Sequence, residues 1–444
     1  MGRLFGTDGV RGLAGTELTA ELANGLGRAA VVVLGRHGAG RASLVVGRDP
    51  RASGEWLEDA LVDGILAAGG DVILAGVEPT PAIAFHTVDA GASAGVVISA
   101  SHNPPEYNGI KFFASNGMKL PDELEDEIEA FLAQPEELAD SPGEVFPGGD
   151  ARERYLDHLV HAAEARLDGM TVVVDCANGA ASDLAPELLR RLGATVHAIN
   201  ASPDGDNIND GCGALYPDVV AAEVVRLGAD AGVSHDGDAD RALFADARGA
   251  IVDGDQVLAA CAVGLRDAGR LAGNTVVTTI MANVGFHHAM REAKIDVVSS
   301  KVGDRYVLED MLRTGAVLGG EQSGHVIFSE HATTGDGLLT AARFLSLVAG
   351  RGATVEEVAA VMRRYPQRMV NVEVADRDGL EGAAEVWDAV EAVERALGDE
   401  GRVLVRPSGT EPLVRVMVEA ETEDLAVRHA DELAAVVART LGRD

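Results

Sequence analysis

Three stretches of this chain repeat one order of apolar and polar positions. Residues 44–76 run LVVGRDP, a helical segment and GGDVILAG; residues 172–200 run VVVDCANG, APELLRRLG and ATVHAIN; residues 276–301 run VVTTIMANVG, FHHAMREAK and IDVVSSK. Each reads as a buried strand, a loop bearing Gly or Asn, a helix of about three turns and a second short strand, which together make a βαβ unit. The strands are continuous β-branched runs, as expected of sheets covered on both faces. After residue 366 the period changes. MVNVEVA (369–375) and LVRVMVEA (413–420) alternate apolar with polar positions, and EGAAEVWDAVEAVERAL and EDLAVRHADELAAVVARTL carry apolar residues at helical spacing. The pattern predicts an α/β protein: three similar α/β domains with mixed sheets (1–150, 151–252, 253–366) and a C-terminal α+β domain (367–444). One large doubly wound sheet also fits the repeat. Arg363-Arg364-Tyr365-Pro366 is a candidate hinge, because proline disfavours helix in the residue before it.

Composition narrows the function more than the fold. Aromatic residues are 4% of the 444, so the cores must be built from Ala, Val, Leu and Ile. Cys176, Cys212 and Cys261 lie far apart with no CxxC spacing, which argues against a disulfide framework or zinc site and fits a reducing cytoplasm. The start, MGRLFGTDGVRG, carries no apolar signal region, and no apolar run reaches the ~18 residues a membrane span needs. Acidic residues outnumber basic ones, 71 to 37, for a net charge of −34. Nucleic acid and anionic membranes, which need basic surface, are therefore excluded as partners. A phosphate-bearing substrate would be opposed by the overall field, so it needs cations and backbone N–H groups gathered locally.

Four segments supply candidate chemistry. In GVVISASHNPPEYNGIKFF (95–113) a Ser-His-Asn-Pro-Pro turn joins two apolar runs. A serine that carries or attacks a group must project from a stiff turn, and the two prolines stiffen this one. There is no G-x-S-x-G elbow, and His102, adjacent to Ser101, is expected to diverge from it. SHDGDADRALF (234–244) sets Asp236, Asp238 and Asp240 at alternate positions after an apolar run, able to converge on one hard cation. Arg241 and Ala247 stand where an EF-hand needs Gly and Glu, so that reading fails; an aspartyl nucleophile at Asp236 and a solvated acidic turn remain open. In LGGEQSGHVIF (318–328), Glu321 and Ser323 are spaced to hold neighbouring hydroxyls, and His325 opens a strand on the side of Ser323. RPSGTEPLVRV (406–416) gathers Arg406, Ser408, Gly409, Thr410 and Arg415, a donor set suited to phosphate, although a plain turn fits too. Lesser Gly/Arg loops are FGTDGVRG with Arg11, GRDPRASG (47–54), and KVGDRYV, which sets Lys301 and Arg305 at a strand end.

These segments, in this order from residue 3 to about residue 419, resemble those of the alpha-D-phosphohexomutases. GTDGVRG, GEQSGH and TTGDGLLTA (333–341) resemble the bacterial phosphoglucosamine mutase branch. The resemblance implies four domains around a central cleft, each lending one loop. By position it implies phosphorylation of Ser101, and Mg²⁺ held by Asp236, Asp238, Asp240 and the Ser101 phosphate. Lys111, His325 and Arg11 become catalytic candidates. Arg241, Glu321, Ser323, Arg406, Ser408, Gly409, Thr410 and Arg415 become substrate-binding ones, supported by His102, Asn103, Lys301 and Arg305. The implied reaction interconverts glucosamine 6-phosphate and glucosamine 1-phosphate through a glucosamine 1,6-bisphosphate, feeding UDP-N-acetylglucosamine and cell-wall precursors; a phosphomannomutase or phosphoglucomutase is the alternative. Partners admitted are a phosphosugar, a second copy in a homodimer and a kinase that primes Ser101. One stretch, NDGCGALYPD (209–218), departs from the family with Ala214 and Leu215 where small hydroxyl residues are usual, which puts a minor interdomain contact in doubt.

Overall fold

Each predicted βαβ unit folds with its two strands parallel, and each sits in its own sheet, which rules out the single doubly wound sheet. The computed structural model describes residues 4–6, 8–37, 40–133, 141–376, 378–408 and 412–442.

The first sheet comprises β1 (Val10–Leu13), β2 (Ser43–Arg48), β3 (Asp71–Val77), β4 (Ala94–Ile98), β5 (Tyr107–Ala114) and β6 (Val145–Pro147), in the order β1-β5-β4-β2-β3-β6. β2 runs parallel to β3 and β4, whereas β5 is antiparallel to β4 and β1. The helices Ala20–His37 and Ala52–Ala67 bury Leu26, Ala30, Val33, Leu57, Leu61 and Ile65 in the core of this sheet. They approach closely because Gly27 and Gly64 lack side chains: a Cβ at Gly64 would lie 2.1 Å from the Asn24 carbonyl oxygen.

The second sheet holds β7 (Thr171–Asp175), β8 (Thr195–Ile199), β9 (Ala231–His235), β10 (Ala242–Asp246) and β11 (Ile251–Val252), ordered β11-β10-β9-β7-β8. Its β9–β10 pair is antiparallel and carries the three aspartates in its connection. The third has β12 (Thr275–Thr279), β13 (Asp296–Ser300), β14 (Leu318–Gly320) and β15 (Val326–Phe328), ordered β13-β12-β14-β15, with residues 321–325 at the β14–β15 turn.

The C-terminal sheet is antiparallel throughout: β16 (Gln367–Glu373), β17 (Gly401–Pro407) and β18 (Leu413–Ala420), ordered β16-β18-β17. The alternation read from the sequence is real. Val403, Val405, Val414, Val416 and Val418 turn inward against Val386, Val390 and Val393 of the helix Ala384–Leu397 and Ala430, Leu433 and Val437 of the helix Glu423–Leu441. Thr422 caps the last helix by accepting from the Leu425 N–H at 3.4 Å.

Packing divides the chain into two compact units. One runs up to Met281 and resumes over Ile295–Val361; the other joins Ala282–Lys294 to the residues from Met362 onward. Within the second, Asn283 brackets the backbone of Tyr365, donating to its carbonyl and accepting from its N–H, both at 3.0 Å. The candidate hinge residue Tyr365 is therefore buried and bonded. All three cysteines are buried and free, and burial lifts each thiol's pKa, to about 12 for Cys212 and Cys261. Among the described residues no helix is long and apolar enough to cross a membrane.

Candidate active site

The serine loop links β4 to β5, whose register sets Lys111 opposite Val97. Ser101 takes a left-handed backbone (φ 51°), unusual for a residue with a side chain. Captured carbonyls hold it there. The Ser101 carbonyl accepts from Arg51 Nη2 at 3.0 Å and from Asn209 Nδ2 at 2.9 Å. The Ser101 N–H donates to Ser99 Oγ at 3.0 Å, and that hydroxyl donates in turn to Asp49. Arg51 is fully buried. Its guanidinium reaches the carbonyls of Asn103 (2.8 Å), Tyr107 (3.1 Å) and Pro104 as well, and it is oriented by Asp49 Oδ2 at 3.0 Å. Proline stiffness was the sequence argument for this turn; the structure adds a guanidinium clamp. The left-handed bend also corrects the expectation for His102. Its Nδ1 does not diverge but lies 3.3 Å from Ser101 Oγ.

The aspartate loop meets the serine loop directly. Ser101 Oγ donates to Asp236 Oδ2 at 2.7 Å. The fit is tight at Gly237, where a Cβ would lie 2.6 Å from the Ser101 carbonyl oxygen. Asp236, Asp238 and Asp240 are buried, and one oxygen from each lies within 4.8 Å of the others; this is the only cluster of metal-ligand type among the described residues. Asp238 Oδ2 accepts from Thr80 Oγ1 (2.7 Å) and Lys111 Nζ (3.0 Å). The Oδ1 atoms of all three have no hydrogen-bond partner. Buried unpaired oxygens are costly, and three converging ones are what a hard divalent cation satisfies. The electrostatics agree. Burial, then Asp240 and Asp238, push Asp236 up to about 8, while Lys111 overcomes the burial of Asp238 and holds its carboxyl well below the usual range. Burial opposes charge on Lys111, but Asp238 and Asp8 outweigh it and hold the side chain as ammonium. Arg241 leans on the same cluster, its Nε 3.6 Å from Asp240 and 3.9 Å from Asp236.

His325, just ahead of β15, is buried with Nδ1 3.5 Å from Asp240 Oδ2. Burial lowers its pKa, but Asp240, Asp304 and Glu321 outweigh this and lift it to about 9. The Gly335 N–H nevertheless donates to Nε2 at 3.0 Å, which selects a neutral ring with its proton on Nδ1. That hydrogen bond is the more direct constraint, because one nitrogen cannot accept it and carry a proton as well. Glu321 Oε1 accepts from the Gly303 N–H at 3.0 Å, and Ser323 Oγ is buried without a partner.

The remaining candidates divide. Arg11, on β1, is paired with Asp8. Arg305 belongs to the first turn of the helix Asp304–Thr314 and pairs with Asp122 and Glu309, while Lys301 is exposed beside Tyr306, its Nζ 5.7 Å from the ring centroid. Neither touches the aspartates. Asn103 contributes its carbonyl. In the departing stretch 209–218, Leu215 is exposed, and the contact to the serine loop is made by Asn209. Sequence reasoning missed Arg51, Asn209, Thr80, Lys119 and Asp304, and placed Asp8 only between two glycine turns. For Arg51, Thr80 and Asp304, a polar residue next to Gly or Pro just past a strand end was the available signal; Asn209 and Lys119 carry none.

In the C-terminal unit, β17–β18 register sets Arg406 directly opposite Arg415. Burial first, then the Arg415 charge, lowers the Arg406 pKa. Like charges paired across a sheet are unfavourable unless an anion joins them. Ser408 is buried, its N–H donating to the Leu413 carbonyl at 2.9 Å. Gly409 and Thr410 lie outside the described residues.

The chain matches the family described as Phosphoglucomutase/phosphomannomutase in each of its four parts: alpha/beta/alpha domain I over residues 2–139, domain II over 153–249, domain III over 253–365 and the C-terminal domain over 369–436. It is 56% identical to a phosphoglucosamine mutase of Rhodococcus opacus over 444 residues, 99% of this chain and 100% of the relative. Among solved structures it is similar to a phosphoglucomutase/phosphomannomutase family protein of Burkholderia thailandensis (TM-score 0.82, 25% identity, 99% of this chain and 97% of the other). The fold is shared with an Aspergillus fumigatus N-acetylphosphoglucosamine mutase solved with GlcNAc-6P and magnesium (TM-score 0.71, 19% identity, 98% and 96%).

Proposed function

We propose, from the premise that this chain belongs to the phosphoglucomutase/phosphomannomutase family, that it is an intramolecular phosphotransferase acting on glucosamine phosphates. The observation that carries the chemistry is the 2.7 Å hydrogen bond from Ser101 Oγ to Asp236, beside three carboxylate oxygens without partners. A hydroxyl held against a cation site is where a phosphoryl group can be carried, and phosphoryl transfer is mostly positioning and charge neutralisation.

In this reading Ser101 is phosphorylated in the active enzyme. Its phosphoryl group passes to the 1-hydroxyl of glucosamine 6-phosphate, giving the 1,6-bisphosphate. The sugar turns end for end, the 6-phosphate returns to Ser101, and glucosamine 1-phosphate leaves. Asp236, Asp238 and Asp240 are the residues to hold Mg²⁺, which when bound supplies positive charge at the transferring oxygens. Lys111, clamped between Asp238 and Asp8 at 3.0 Å each, acts as a fixed ammonium against the phosphoryl group. Proton transfer with the sugar hydroxyl then falls to His325, whose Nε2 must exchange the Gly335 N–H for that hydroxyl. Glu321 and Ser323 are assigned to the sugar hydroxyls, and Arg406, Ser408 and Arg415 to the phosphate that does not react. The reaction belongs to amino-sugar supply in the cytoplasm.

The 56% identity to the Rhodococcus opacus protein favours an amino sugar over glucose or mannose. Coupled assays with glucosamine 1-phosphate, glucose 1-phosphate and mannose 1-phosphate test this. The largest kcat/KM is expected for glucosamine 1-phosphate; a larger value for mannose 1-phosphate would overturn the choice of sugar.

A further inference from the structure

Acidic and basic side chains around the two loops form one alternating chain. Asp238 Oδ2 lies 3.0 Å from Lys111 Nζ, and Lys111 Nζ lies 3.0 Å from Asp8 Oδ2. Asp8 Oδ1 lies 2.8 Å from Lys119 Nζ, and Lys119 Nζ 2.7 Å from Asp304 Oδ2. Asp304 Oδ2 is then 3.7 Å from His325 Nε2, in contact but with no proton shared while that nitrogen accepts from the Gly335 N–H, and His325 Nδ1, which carries the ring proton, is 3.5 Å from Asp240 Oδ2. The chain leaves the aspartate loop at Asp238 and re-enters it at Asp240. Its two inner members nearest that loop, Lys111 and His325, are the charge-stabilising and proton-transferring groups of the proposed reaction. Asp8, Lys119 and Asp304 join them on the far side.

Resting on that reading, we propose that Lys119 and Asp304 are positioning residues for phosphoryl transfer, bridging Lys111 and His325 so that both are held in register with Ser101. A lysine is a compact charge on a four-carbon stem, so its position is set by its partners. Asp8 is one of the two carboxylates on Lys111, and Lys119 holds the other oxygen of Asp8. Both bridging residues stand on firm backbone. Lys119 closes the turn after β5, bridged to Phe113, and Asp304 opens the helix Asp304–Thr314. Neither is core filling. Their side chains are about one-fifth exposed, and with His325 they line a cavity of about 220 Å³. Paired charges in such a place are weak devices for stability, which leaves geometry as their use.

The test is a double-mutant cycle on the full chain: Lys119→Met, Asp304→Asn, the pair, and Lys119→Arg. The substrate is whichever of glucosamine, glucose or mannose 1-phosphate the unmodified enzyme turns over fastest, so a wrong sugar assignment leaves the test intact. Each single substitution is expected to lower kcat by about 10–100-fold, as supporting-shell changes do, with KM changed less than about threefold and the thermal midpoint held within about 3 °C. The double variant should lose no more than the worse single, because the two act as one bridge. Lys119→Arg should recover part of kcat. Multiplying losses, a change confined to KM, or losses that track the thermal midpoint would each overturn the bridge. An unmodified enzyme that turns over none of the three sugars would remove the proposed function and this inference with it.

Discussion

The serine loop and the aspartate loop touch through Ser101 Oγ and Asp236, yet their polar groups are treated in opposite ways. In the serine loop Arg51 takes up the carbonyls of Ser101, Asn103, Pro104 and Tyr107, and Asn209 adds a second donor to two of them. In the aspartate loop three buried Oδ1 atoms have no hydrogen-bond partner, and Arg241 Nε stands off at 3.6 Å from that of Asp240. The first is the arrangement of a rigid carrier, over-determined so that a strained residue keeps its shape. The second is a crowding of carboxylate oxygens that a bound cation would relieve. One loop is finished by the protein; the other leaves three oxygens open to a ligand.

The contrast sets what each substitution should cost. Ser101→Ala removes the one side chain the serine loop leaves for chemistry, so turnover should fall by at least ~10³-fold while the melting curve barely moves; phosphosite mapping of the unmodified enzyme should find phosphate on Ser101. Retained turnover in that variant would transfer the role of nucleophile to Asp236, the alternative that its place in the aspartate loop leaves open. Chelation attacks the other loop. Removing divalent cations should cost about 100-fold or more in rate, restored by Mg²⁺, with a lower thermal midpoint for the stripped protein. A stripped enzyme at full rate would break the comparison outright.

Arg51→Met should strike the fold instead. It leaves Asp49 buried without its cation and four carbonyls short of a donor, a change worth about 3–5 kcal/mol in urea unfolding. Arg51→Lys should recover only part, since an ammonium cannot span the fork.

The mildest test uses a carboxyl outside the site. Glu78, two residues before Thr80, is buried with its Oε2 unpartnered, and burial lifts its pKa to about 7 against the partial counter-effect of Arg152. A raised carboxyl pKa penalises the folded state above that pKa, and the penalty fades as pH falls toward 4.5. Glu78→Gln should therefore stabilise the protein at pH 8 by up to ~3 kcal/mol, with the gain vanishing near pH 5. A gain that is flat across this range would show that the fold does not raise the Glu78 pKa.

Much of this was legible in the chain. The βαβ units, the change of period after residue 366 and the last helix, Glu423–Leu441, follow from apolar spacing, which burial on one face or both dictates. The three aspartates were legible because alternate positions in an extended loop converge. Arg51 and Asn209 were not, since each lies 50 or more residues from the carbonyl it holds and nothing local marks the pairing. His102 was misjudged because its direction hangs on one backbone angle at Ser101. Arg305 sits in a loop of promising composition but turns to Asp122, and only the start of a helix at Asp304 decides which neighbour faces the cluster.

The order of the first sheet bears on how the protein is made. Among the described residues β1 pairs only with β5, Val10 against Ile110, so the first strand of this sheet has no place to dock until about a hundred residues later. At ordinary synthesis speeds that is a wait of roughly 5–20 s. During it, β2, β3 and β4 can assemble as a parallel core with an open edge. Arg11 is thus translated well before β5 and is among the last residues of its sheet to find its seat, and a nascent chain stalled before residue 114 would present that edge to chaperones.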